Sequence, residues 1–397
     1  MEFDHNVTHV YSTIDSTHGC TRWRWFRLPW PALALAATTA CFPHHTFLRD
    51  QLVRTEPEAD FRQPISRVEL AYGTGYYLAN SWRAPAAAYG RSRPYVLVDV
   101  GNPTPIVAWS NKPIEDPNRR PFVPYAAKSK DSVLVGTDWS GQWTVQLTVP
   151  VAFYLFWDAF TNNNPIVDTD YTFGFDLSGR TSLHELTEQR FGVYWGHIST
   201  HLGDEYVISG RQSSQPFPRV NVSMFPWRIN GSNRWYSTRA AQNGARSYVQ
   251  VGAQVEGPCV VCHDSAYYYT YPTETDGVTI PSIRPGLEPT VTADWRWYTS
   301  ILPHTANATV ASLLEPSSFN VGLLIGNRRI FPYVPTTTAN YGAAVNGTFG
   351  YRFPAAIASG VSYVELYVRG YHGPNPYGQL RNQSNFSLVA VGAKILH

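Results

Sequence analysis

The sequence predicts an all-β protein, a single antiparallel transmembrane β-barrel of about 12 strands. Three observations predict it. Runs that alternate apolar and polar residues recur from Ile65 to the end of the chain. No window supplies the roughly 18 uncharged apolar residues that a spanning helix needs. Aromatic residues make up 14% of the chain, with 25 Tyr and 13 Trp. That enrichment fits girdles of amphipathic rings at two membrane interfaces.

Taken in order, residues 1–42 read as an export leader. Arg22, Arg24 and Arg27 precede an apolar stretch at 28–42 that ends in small residues, the charge-apolar-small order of a secretory signal. Thr38-Thr39-Ala40-Cys41 is close to a lipoprotein cleavage site, without the usual Leu three residues before the Cys. Residues 43–64 are charged, contain Pro57 and read as a short soluble or loop segment. Residues 65–397 read as the barrel, with a long loop or plug near 257–290.

The clearest strand is 143–157, where Val145, Leu147, Val149, Val151, Phe153 and Leu155 oppose Gln146 and Thr148. In 171–180, Tyr171, Phe173, Phe175 and Leu177 oppose Thr172, Asp176, Ser178 and Arg180. Near the C-terminus Val364, Leu366 and Val368 oppose Glu365, Tyr367 and Arg369. An apolar face against one carrying ionisable side chains fits a lipid side and a polar lumen. The run 385–397 alternates less cleanly, because Lys394 shares a face with Leu388 and Leu396. The runs number about 11 to 13, each near the 9 to 11 residues of a tilted membrane strand, and an even count near 12 allows full closure. Closure removes exposed sheet edges. The net charge of +2 offers no basic surplus for a phosphate backbone, so nucleic acid is excluded as a partner.

Two constellations carry chemistry. In Trp-Gly-His-Ile-Ser-Thr-His-Leu-Gly-Asp-Glu-Tyr at 195–206, Phe191, Val193 and Trp195 share a strand face with His197, Ser199 and His201. An imidazole beside a hydroxyl can take its proton as the oxygen attacks an ester carbonyl. Alternate residues on one face lie about 6 to 7 Å apart in Cα, so the two side chains can meet. Asp204 and Glu205 supply hard oxygen ligands suited to calcium. The same side chains also suit a structural hydrogen-bonded rim. Separately, Cys259-Val260-Val261-Cys262-His263 has the pattern of covalent c-type haem attachment, and equally that of a short disulfide loop or two free thiols.

The 195–206 run, with Asn-Pro-Ile-Val-Asp-Thr-Asp-Tyr at 164–171, Arg-Val-Asn-Val-Ser at 219–223 and Tyr-His-Gly-Pro-Asn-Pro-Tyr-Gly-Gln at 371–379, resembles the signature of a bacterial family of outer-membrane barrels of unknown activity. The resemblance implies a bacterial outer-membrane location, with outer-membrane lipids and the barrel-assembly machinery as partners. The chain departs from the usual pattern by ending on His397 rather than on an aromatic residue, with Phe386 inside the same strand. More distantly, His-x-Ser at 197 and 199 is similar to the spacing in outer-membrane phospholipase A and in a lipid A deacylase. That likeness implies Ser199 as nucleophile, His197 as base and Asn221 as the group that orients the ring. The readings open at this point are a lipid-facing acyl hydrolase assisted by calcium, a non-enzymatic channel or structural barrel, and a haem-bearing barrel in electron transfer.

Overall fold

The computed structural model describes residues 44–47, 58–60, 63–74, 92–111, 143–160, 166–184, 186–202, 222–240, 246–258, 268–270, 278–280, 286–299, 317–330, 340–357, 360–377 and 385–396. The leader reading for 1–42 lies outside them. The first half of the chain forms β1 (His44–Phe47), β2 (Ser66–Thr74), β3 (Ser92–Ser110), β4 (Trp143–Trp157), β5 (Ile166–His184), β6 (Thr187–Leu202), β7 (Val222–Met224) and β8 (Pro226–Ala240). The second half forms β9 (Arg246–Pro258), β10 (Tyr268–Thr270), β11 (Val278–Ile280), β12 (Glu288–Tyr298), β13 (Ser318–Ile330), β14 (Asn340–Ile357), β15 (Gly360–Gly373) and β16 (Phe386–Leu396).

Twelve of these strands close into an antiparallel barrel in the order β3-β2-β16-β15-β14-β13-β12-β9-β8-β6-β5-β4, with β3 pairing back onto β4. The first and last barrel strands meet in the register Leu388↔Gly73 to Ile395↔Ser66. Each barrel strand therefore has two neighbours, and the wall has no free edge. β1 pairs with β3 at Val107 to Ser110, beyond the reach of the shorter β2. β7 pairs with the end of β6, and β10 with β11 as a separate two-stranded piece within the 257–290 excursion. Several strands exceed the expected length. β3 and β5 each have 19 residues, so parts of their ladders continue past the thickness of a bilayer.

The pleat sorts residues as the alternation predicts. On β5, Tyr171, Phe173, Phe175 and Leu177 are exposed, while Asp176, Ser178 and Arg180 are buried inside. On β15, Leu366 and Val368 face out, and Glu365, Tyr367 and Arg369 face in. β16 alternates cleanly too. Val389, Val391 and Ile395 are exposed, and Leu388, Ala390, Lys394 and Leu396 are buried. Its sequence looks irregular because the lumen beside it is apolar in places. A wall of exposed Val, Leu, Ile and aromatic side chains around a ring of buried ions is inside-out for a protein in water. It suits hydrocarbon outside and polar groups satisfied within. Two aromatic belts mark the interfaces. Near the end where Ser66 and Leu396 lie, here the terminal end, Trp295, Trp297, Phe319, Phe349, Tyr351 and Phe353 run ring to ring. Toward the far end, Phe153, Tyr171, Phe173, Phe175, Trp195 and Phe225 form a second series.

Candidate functional site: a latched lumen and the far-end rim

Lumen-facing ions are arranged as networks rather than isolated pairs. Glu69 accepts from Arg369 and Tyr367, while Arg67 donates to Asp99. Glu188 accepts from Arg190 and from the Tyr236 hydroxyl at 3.0 Å. Next to it Arg234 lies over the Tyr248 ring at 3.9 Å and donates to Gln250 at 2.8 Å. A buried ion needs a partner with good geometry, or desolvation outweighs the attraction.

The largest network encloses a piece of the chain that precedes the barrel. Residues 58–60, within the segment that reads as soluble, sit in the lumen. The Glu58 carboxylate accepts from Arg296 at 2.8 Å, from Arg352 at 3.0 Å and from Lys394 at 3.0 Å. Its backbone N–H donates to Asp294 at 3.0 Å. Asp60 accepts from Arg228 at 2.8 Å, and the Ala59 carbonyl accepts from the Asn346 amide. Gly322 makes room for the segment: a Cβ there would come within 2.9 Å of the Ala59 nitrogen and 3.0 Å of the Glu58 Cβ. Five strands, β8, β12, β13, β14 and β16, thus hold or accommodate three residues.

At the far end residues 374–377, which follow β15, are buried against lumen-facing side chains. Gly373, with φ of 144°, turns the chain inward, a conformation that suits glycine. Tyr371 then donates to the Pro374 carbonyl, and Asn375 accepts from the Tyr377 N–H at 3.0 Å. The Tyr377 ring stacks on Phe156 at 5.2 Å, in a cluster with Tyr95, Leu97, Tyr154, Phe386 and Leu388. Burial is the main cause that holds the Tyr377 hydroxyl well above its ordinary pKa, with the Asp99 charge acting in the same direction.

On the outer wall, His197 and Ser199 follow Phe191, Val193 and Trp195 on the face of β6 that points away from the lumen. They are half-buried near the far end, and the His197 ring lies 4.6 Å from Phe225. Across the ladder His197 is opposite Phe173, and Ser199 is opposite Tyr171 on one side and Ser223 on the other. Asn221, Asp204, Glu205, Cys259, Cys262 and His263 lie outside the described residues, in the links that follow β6 and β9. Among the described residues no group of three or more His, Cys, Asp or Glu side chains could hold a metal ion.

Elsewhere on the outer face His372 Nδ1 and Ser387 Oγ are 2.7 Å apart, in direct register between β15 and β16. Sequence reasoning missed this pair because its members lie on facing strands rather than two residues apart. It also missed Glu58 and Asp60. The available signal was the lumen parity of Arg228, Arg296, Arg352 and Lys394, a set of cations that calls for carboxylates from elsewhere.

No family model matches the chain, and no curated protein matches it in sequence. Solved structures similar to it include the translocator domain of autotransporter NalP from Neisseria meningitidis. That match covers 84% of this chain and 87% of the other, at 7% identity and a TM-score of 0.38. A Pseudomonas aeruginosa FadL homologue matches over 87% of this chain and 93% of the other, at 11% identity and a TM-score of 0.29. At these values nothing about either protein passes to this chain. The described strands themselves establish the fold as a closed 12-strand barrel of outer-membrane type.

Proposed function

We propose that this chain is an integral protein of the bacterial outer membrane and forms a channel closed by its own N-terminal segment. The observation that carries the reading is the seating of Glu58, Ala59 and Asp60 among lumen cations on four strands. A purely structural barrel needs only a filled interior. Here part of the filling comes from outside the barrel strands and is held without strand pairing, so it can leave without breaking the wall. The test is single-channel recording of full-length protein in planar bilayers. Wild type is expected to be mostly closed, and Glu58→Gln with Asp60→Asn to open often. A folded variant that never conducts would leave a structural barrel.

A second reading, the lipid-facing acyl hydrolase, is favoured by the outward placement of His197 and Ser199 on β6. In that reading His197 is the base, Ser199 the nucleophile and Asn221 the orienting group, with calcium held by Asp204 and Glu205. Wild-type protein in detergent with calcium should release fatty acid from phospholipid or lipid A, and Ser199→Ala should not. Equal release by the two proteins would end this reading.

A further inference from the structure

We infer that the pocket occupied by Glu58 is an anion-binding site of the pore, with Glu58 standing in for the carboxylate or phosphate of a passing solute. The inference rests on the channel reading above. Three cations from three different strands converge on one carboxylate. Arg296 and Arg352 meet Oε1, and Lys394 meets Oε2. The side chains that form this site are held by neighbours of their own. Arg296 also donates to Asn320 at 2.8 Å, Arg352 also pairs with Glu365 at 2.7 Å, and Lys394 also pairs with Glu365 at 2.8 Å. The side chains of the site therefore keep their places when Glu58 departs, as those of a receptor for an oxyanion should.

Charge makes departure conditional. Arg296, Arg352 and Lys394 face the Glu58 and Glu365 carboxylates, so the seated segment supplies one of the two negative charges that these three cations contact. Withdrawal of Glu58 alone takes a counter-ion away from three buried cations, which is costly unless another anion takes its place. An entering oxyanion and the Glu58 carboxylate thus compete for the same donors. The solute that opens the pore is the one its three cations bind in place of Glu58.

Two arms test this with full-length protein in planar bilayers. On wild type, pyrophosphate or citrate added to one side should raise the open probability, whereas a neutral sugar should not. In the Glu58→Gln, Asp60→Asn background, the reversal potential across a potassium chloride gradient should show chloride preference. Pyrophosphate should block that current, and adding Lys394→Gln should raise the blocking concentration by about tenfold. Response to pyrophosphate alone would point to phosphates as the solute, and response to citrate alone to carboxylates. A pore that opens but prefers potassium, or that ignores both oxyanions, overturns the anion site and leaves the channel reading standing. Absence of any conductance in wild type and in the variant, with heat-shifted gel mobility showing folded barrels, overturns both.

Discussion

Arg352 donates to Glu58 at 3.0 Å and, through its Nε, to Glu365 at 2.8 Å, joining the lumen segment to the wall with one guanidinium. Replacing it by Met keeps the length and apolar stem but leaves two buried carboxylates short of a partner. Breaking one side of a buried pair costs about 3–5 kcal/mol. Unfolding of Arg352→Met by denaturant in detergent should show a loss of that order, partly restored by adding Glu58→Gln. A loss below about 1 kcal/mol would place the pair in the weak class of solvated ion pairs.

Gly322 decides whether the segment can stay. Valine favours a strand, but its Cβ would meet the Thr348 hydroxyl of β14 at 2.8 Å, so heat-shifted gel mobility has first to show that Gly322→Val leaves the barrel folded. The same Cβ would lie 2.9 Å from the backbone nitrogen of Ala59, which cannot yield as a flexible side chain would. The expected outcome is an expelled segment: residues near Glu58 become protease-sensitive and the channel opens without any charge being changed. A variant as resistant and as closed as wild type would show that the segment adapts and that Gly322 is not its seat.

Much of the wall was legible in the sequence, and the latch was not. Strand alternation depends on a local period, so Phe175 outside and Asp176 inside follow from two adjacent letters. β16 was harder to read because Leu388 and Leu396 face inward beside Lys394. Apolar patches of the lumen are set by distant partners such as Tyr377 and Phe156, not by the local pattern. Glu58 lies far in sequence from Arg296, Arg352 and Lys394, and only closure of the barrel brings those three together. The placement of His197 and Ser199 on one outer face followed from parity alone. The His372–Ser387 contact depends on the register of β15 with β16, which no single-strand pattern fixes.

The outward face makes a direct prediction about lipid. Val368 is exposed on β15, between Phe349 and Val391 in register. An arginine on the lipid face of a barrel near the bilayer midplane costs about 2–4 kcal/mol, falling toward zero at the interfaces. Val368→Arg should lower stability in vesicles by that order, while Val368→Leu should change it little. If the arginine variant is as stable as the leucine one, β15 does not face hydrocarbon at this position.

The buried residues that follow β15 at the far end should loosen in alkali. Tyr377 lies in the link after β15 and is 1% exposed, and burial first, then the Asp99 charge, hold its hydroxyl well above the ordinary tyrosine range. A raised folded pKa on an acid means that the neutral form is the one the fold accepts. Below about pH 10 both folded and unfolded forms keep the proton, and the group adds no pH dependence. Above that the unfolded form loses its proton first, so stability falls as pH rises. Tyr377→Phe keeps the ring against Phe156 and removes this titration. Thermal unfolding from neutral to strongly alkaline pH should therefore fall less steeply in Tyr377→Phe than in wild type, with the two curves diverging only above the ordinary tyrosine pKa. Parallel curves across the whole range would mean that Tyr377 does not stay protonated in the folded protein.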